Sequence, residues 1–113
     1  MPTYDHAEFL HRQRQEWSEI IDISKKLLQL SQCGNWQQVD ELSLQRETML
    51  ENFFSKGVAQ EFIKSVQEGI EEIRKTDEEI VRMVKKNRTE LADEISKLTI
   101  KRKHVKDYIS NSR

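Results

Sequence analysis

A chain of 113 residues is expected to fold as one domain, residues 1–113, with no room for a second. Nineteen Lys and Arg against 20 Asp and Glu leave a net charge of −1, so no overall field draws the molecule to nucleic acid or to anionic lipid. Charged residues at 35%, three Gly and the single Pro2 describe a helix-rich chain with a narrow core, which excludes sandwiches and barrels.

The first helix is expected over about 5–32. Asp5 or Thr3 supplies its cap, and Asp5 and Glu8 lie where the amino-terminal dipole favours negative charge. Leu10, Trp17, Ile20, Ile21, Ser24, Leu27, Leu28 and Ser31 share one face. The intervening run HRQRQE is polar, which predicts first turns held by few apolar contacts, free to fray or to serve a partner. Gly34 can take the left-handed conformation that closes a helix, and Asn35 offers a side-chain oxygen to the free amides of the next. So short a link forces an antiparallel hairpin.

In the second helix, about 36–54, Trp36, Val39, Leu42, Met49, Leu50 and Phe53 recur at three- and four-residue steps, with Gln37, Gln38, Asp40, Glu41, Gln45 and Glu47 opposite. Trp17, Trp36, Leu42, Leu50 and Phe53 are therefore the expected core anchors of the hairpin. Phe53 and Phe54 point about 100° apart, so one of them should reach the surface. Gly57 suits a second left-handed cap.

The third helix is expected over about 59–98, followed by a mobile helical segment at about 99–111. Ile63, Val66, Ile70, Ile73, Asp77, Ile80 and Val84 form a heptad seam interrupted only by Asp77. Glu71 and Lys75, Glu78 and Arg82, and Asp93 and Lys97 stand four apart, acid first, each pair worth about 0.2–0.5 kcal/mol. Beyond Val84 the seam shifts to Arg88, Leu91, Ile95, Leu98, Val105 and Ile109, a stutter that predicts a bend near Asn87 without a break. Phe62, Val81 and Met83 lie off the seam and predict a second packed surface. The fold class is thus all-α: an antiparallel helical hairpin, a long third helix and a carboxyl-terminal helical segment.

Chemistry is not expected. His6, His11 and His104 form no His-Glu-x-x-His pair, no Cys-x-x-Cys frame or glycine-rich phosphate loop occurs, and no metal or cofactor is implied. Cys33 beside Gly34 reads as a small filler, and one cysteine cannot form an internal disulfide. No run of about 18 apolar residues offers a membrane span or signal-peptide core, so a cytoplasmic location is expected. Residues 1–57 sum to −3 (6 basic, 9 acidic) and residues 58–113 to +2 (13 basic, 11 acidic). The basic run Lys97 to Lys106 has only Tyr108 nearby for stacking, which disfavours nucleic acid and suits an anionic protein partner equally well.

The spacing W-x-x-V-x-E-L-x-x-x-R-x-x-M-L-x-x-F-F, from Trp36 to Phe54, resembles the second helix of the FliT family, small helical export chaperones of the bacterial flagellum. The resemblance extends to Trp17, Ile20, Ile21, Leu27 and Leu28 in helix one, and to Ile73, Asp77, Ile80, Arg88, Leu91, Ile95, Leu98 and Tyr108 late in the chain. It implies a cytoplasmic, substrate-specific chaperone of flagellar type III export. Its client would be the filament-cap protein FliD, whose carboxyl-terminal segment is kept from premature assembly and brought to the export gate. It further implies that some members bind the export ATPase complex and the flagellar regulator FlhDC, and that the third helix supplies much of this surface, which the carboxyl-terminal segment can cover. Carried onto this sequence, partner contacts fall among Ile70, Ile73, Ile80, Val81 and Val84, with the core as the alternative place for Ile73 and Ile80. The end from Ile100 to Arg113 is short for the family and has no Gly or Pro to hinge on, which departs from a covering role.

Two other readings stand beside this one. The off-seam residues suit a coiled-coil or homodimerisation module. Segment Glu19 to Leu30 superficially resembles the opening of all-helical chorismate mutases, but such an enzyme needs buried Arg and Lys, and Arg46 is the only core-facing candidate in helices one and two.

Overall fold

Local capping chemistry sets the first boundaries of the computed structural model, which describes the backbone of residues 5–111 and the side chains of residues 5–98. Helix α1 (His6–Gln32) begins where Asp5 accepts the Glu8 amide at 3.1 Å, and α2 (Trp36–Ser55) where Asn35 accepts the Gln38 amide at 3.5 Å. Gly34 (φ 73°) and Gly57 (φ 74°) take the left-handed conformation that closes these two helices. A single 3-10 turn, Gln60–Phe62, leads into α3 (Ile63–Asn111), and no strand occurs among the described residues. The helical backbone is uninterrupted both at Asn87 and at Leu98. The chain divides into two compact units, Met1–Val81 and Arg82–Arg113, with α3 contributing to both.

In the first unit the hairpin core is built from Trp17, Ile20, Ser24, Leu27 and Ser31 of α1 against Val39 and Phe53 of α2, closed by Ala59, Phe62 and Val66. Ser24 and Ser31 enter this apolar face at little cost, because each hydroxyl donates to the carbonyl four residues back, Ile20 at 3.1 Å and Leu27 at 2.8 Å. Trp36, Leu42 and Leu50 are half-buried, and Leu50 and Met49 pack against the core. Phe53 is fully buried while Phe54 is exposed, the two rings meeting edge to face at 5.2 Å.

Three expectations are corrected here. The first turns of α1 are tied down: Gln13 is buried, its Nε2 donating to the Gly57 carbonyl at 2.5 Å and its Oε1 accepting from the Ala59 amide at 2.8 Å. His6 pairs with Glu61, and Lys56 with Glu16 at 3.2 Å, so the loop after α2 is stitched to α1 by polar groups. The apolar seam of α3 is also rotated: Phe62, Val66 and Gly69 are buried and Ile73 packs on the core, whereas Ile63 and Ile70 are exposed. Finally, Cys33 is exposed at the C-cap of α1 and fills nothing.

In the second unit, Met83, Val84 and Asn87 are half-buried, and Leu91, Ile95 and Leu98 are exposed. The side chains of the basic run after Leu98, including Tyr108, lie outside the described residues.

Candidate partner-binding surface

The apolar surface that α3 leaves open in the first unit follows from what it buries. Trp17 lies so close to Gly69 that a Cβ placed there would sit 2.6 Å from the indole Cζ2 and Nε1. This contact turns Val66, Gly69 and Ile73 inward, and Ile63, Ile70 and Val81 consequently fall on a neighbouring line of the helix that faces outward. Ile70 is 44% exposed and Val81 50%, values that make them surface groups rather than core edges. Of the residues expected to touch partners, Ile70 and Val81 are therefore open, Ile73 packs on the core and Ile80 is half-buried; Val84 belongs to the second unit. Phe54 adds an exposed ring on α2, its centroid 6.1 Å from that of Trp17.

A polar knot orients the same helix. Arg46 of α2 donates through Nη1 and Nη2 to the two carboxylate oxygens of Asp77, at 2.9 and 2.8 Å, and through Nη1 to the Ser24 hydroxyl at 3.1 Å. One guanidinium thereby joins α1, α2 and α3 with bidentate geometry. The only arginine with a core-facing position in the hairpin is thus already bound by a carboxylate of its own chain.

The outer rim of α3 is charged. Arg74 reaches both Glu71 and Glu78, taking these acids from the i, i+4 pairings that spacing alone favours. Its hydrogen bond holds the Glu71 carboxyl below the ordinary range, and the same contacts raise Arg74. Between α1 and α2 a depression of about 230 Å³ is lined by Lys26, Leu30, Gln38, Glu41, Leu42 and Gln45. It has room for one side chain and is smaller than the sites that enclose small-molecule ligands. Among the described residues no group of three or more His, Cys, Asp or Glu is arranged to hold a metal ion, and no helix is long and apolar enough to cross a membrane.

These features describe a helical scaffold with an open apolar helix face. Residues 14–111 match the family model described as Flagellar protein FliT. The chain belongs to the FliT family. No curated protein and no solved structure matches it. FliT-family proteins are flagellar export chaperones, which implies protein partners in flagellar export. Sequence periodicity placed Ile63 in the buried seam of α3, whereas it lies on the exposed line with Ile70. The signal for Ile63 was the alternative spacing Phe62, Val66, Gly69, Ile73, hidden because a glycine does not count as apolar.

Proposed function

We propose that this FliT-family chain is a cytoplasmic chaperone of the filament-cap protein FliD. It binds the carboxyl-terminal segment of FliD, prevents premature assembly and delivers the client to the export gate and its ATPase complex. Some members of the family are expected to bind the regulator FlhDC as well. The observation that carries the reading is the exposure of Ile70 and Val81 on α3, in a chain whose family match spans residues 14–111. An amphipathic client helix lays its apolar side on such a face, with Ile70 and Val81 as its open contacts and Ile80 half-buried beside them. Release follows when the export machinery competes for the same apolar residues.

The test is isothermal titration with a peptide from the carboxyl end of the same organism's FliD. A saturable one-to-one signal with a negative heat-capacity change is expected. Ile70→Asp and Val81→Asp alter exposed residues, so helicity should persist while affinity falls at least about tenfold, or about 1.4 kcal/mol. Undiminished binding by both variants would remove this face from the site.

A further inference from the structure

Two contacts of the first unit set the open line of α3 beside α2. Arg46 of α2 grips Asp77, which lies seven residues after Ile70 and four before Val81 and so shares their line. Trp17 lies against Gly69 and also meets the Phe54 ring, edge to face at 6.1 Å. Phe54 stands eight residues after Arg46, and Gly69 eight before Asp77, so α2 and α3 run antiparallel and side by side over about 12 Å. The depression between α1 and α2 takes the Gln38, Leu42 and Gln45 side of α2, which leaves the side of Glu47, Glu51 and Phe54 towards α3. Half-buried Leu50 and exposed Phe54 therefore form one edge of an apolar strip, and Ile70 and Val81 the other.

The two rims of this strip differ in charge. On α3, Glu71 and Glu78 share Arg74. On α2, Glu47 and Glu51 are exposed one residue after Arg46 and Leu50, about 100° round the helix towards solvent. Among the described residues no cation pairs with either. The only basic residue of α2, Arg46, is engaged by Asp77. We infer, on the reading that this face receives a client helix, that the segment it selects is an amphipathic helix with Lys or Arg along one edge of its apolar stripe, and that this edge lies against Glu47 and Glu51. An apolar strip alone accepts any amphipathic helix of suitable length. Two unpaired carboxylates on one rim repel an acidic edge and attract a basic one. They also fix the chain direction of the bound segment, because reversing it would swing its basic edge to α3.

Isothermal titration of the full chain at low salt with two synthetic helical peptides tests the inference. Both peptides carry the same leucine stripe, and one has Lys, the other Glu, along one edge. The Lys peptide should bind at least tenfold more tightly, and the margin should shrink at high salt. Glu47→Lys combined with Glu51→Lys changes only exposed residues and should reverse the preference, with circular dichroism verifying that the variant is folded. Val81→Asp should weaken the Lys peptide at least tenfold, as binding on this strip requires. Equal affinities for the two peptides, no binding of the Lys peptide, a preference unchanged in the double variant, or a Lys peptide indifferent to Val81→Asp would each overturn the inference. The FliD peptide, titrated in parallel, separates the two possible failures. If it binds, only the charge selection has failed; if it too is silent, the chaperone reading has failed as well.

Discussion

Gly69→Ala should destabilise this protein, although the same change in a free helix interior would stabilise it by about 1 kcal/mol through backbone entropy. The new Cβ would lie 2.6 Å from Cζ2 and Nε1 of Trp17 and 2.8 Å from its Cε2. Carbon contacts are comfortable near 3.5–4.0 Å, so about 1 Å must be opened between α1 and α3. The indole cannot swing aside freely, being buried with its ring 5.0 Å from that of Phe53. Overpacking of this kind costs about 1–3 kcal/mol, and after the helical gain is subtracted the net loss is about 1 kcal/mol. For a domain of this size that lowers Tm by about 4–8 °C in a melt followed by far-ultraviolet circular dichroism. On a Trp17→Phe background the smaller ring should leave room, so that adding Gly69→Ala becomes neutral or stabilising. A Tm that rises in the wild-type background, or an equal loss in both, would refute the close packing of α3 on Trp17.

Other expectations follow from the polar contacts. Gln13→Ala strands the Gly57 carbonyl and the Ala59 amide and should cost about 1–3 kcal/mol in urea unfolding. Asp77→Ala leaves the Arg46 guanidinium, only 12% exposed, without its carboxylate; because Asp77 itself is 41% exposed, the loss should be about 1–3 kcal/mol, below that of a fully buried pair. Arg46→Met combined with Asp77→Leu should recover most of that loss. The Glu61 carboxyl is held below its ordinary range chiefly by its hydrogen bond with His6 and by a backbone hydrogen bond, so its contribution to stability is present above the unfolded carboxylate pKa and is lost as pH falls through the lower folded value. Titration followed by NMR should show that carboxyl returning toward its ordinary value in His6→Ala.

Features written in adjacent residues were legible from sequence. Asp5, Gly34, Asn35 and Gly57 each act within four residues of their own position, and the hairpin follows from them. What depends on a distant partner was not. Gln13 belongs to a polar run, and only the return of the chain at Gly57 makes it a buried clamp. Periodicity on α3 counts side chains, so it ran through Ile63 and Ile70 and passed over Gly69, whose value lies in having no side chain against Trp17. For the candidate surface this matters directly, because Ile70 and Ile73 fit the same three-and-four spacing while one is open and the other packed.

That ambiguity is physical as well as interpretive, and Arg46 with Asp77 bears on how the molecule resolves it. Helix α3 and the turn that leads into it carry two apolar lines that could compete for the hairpin: Phe62, Val66 and Ile73, and Ile63, Ile70 and Val81. Turning the helix by one residue, about 100°, would exchange them at modest cost in buried area. It would also carry Asp77 away from Arg46 and leave a largely buried guanidinium facing only the Ser24 hydroxyl. A paired charge of this kind adds little net stability over an apolar pair, but its disruption is costly, so it discriminates between alternatives more than it strengthens either. Gly69 enforces the same choice sterically, since any other line of α3 would set a side chain against Trp17. The two devices hold Ile70 and Val81 outward, and an export chaperone requires an apolar face that its own core does not consume.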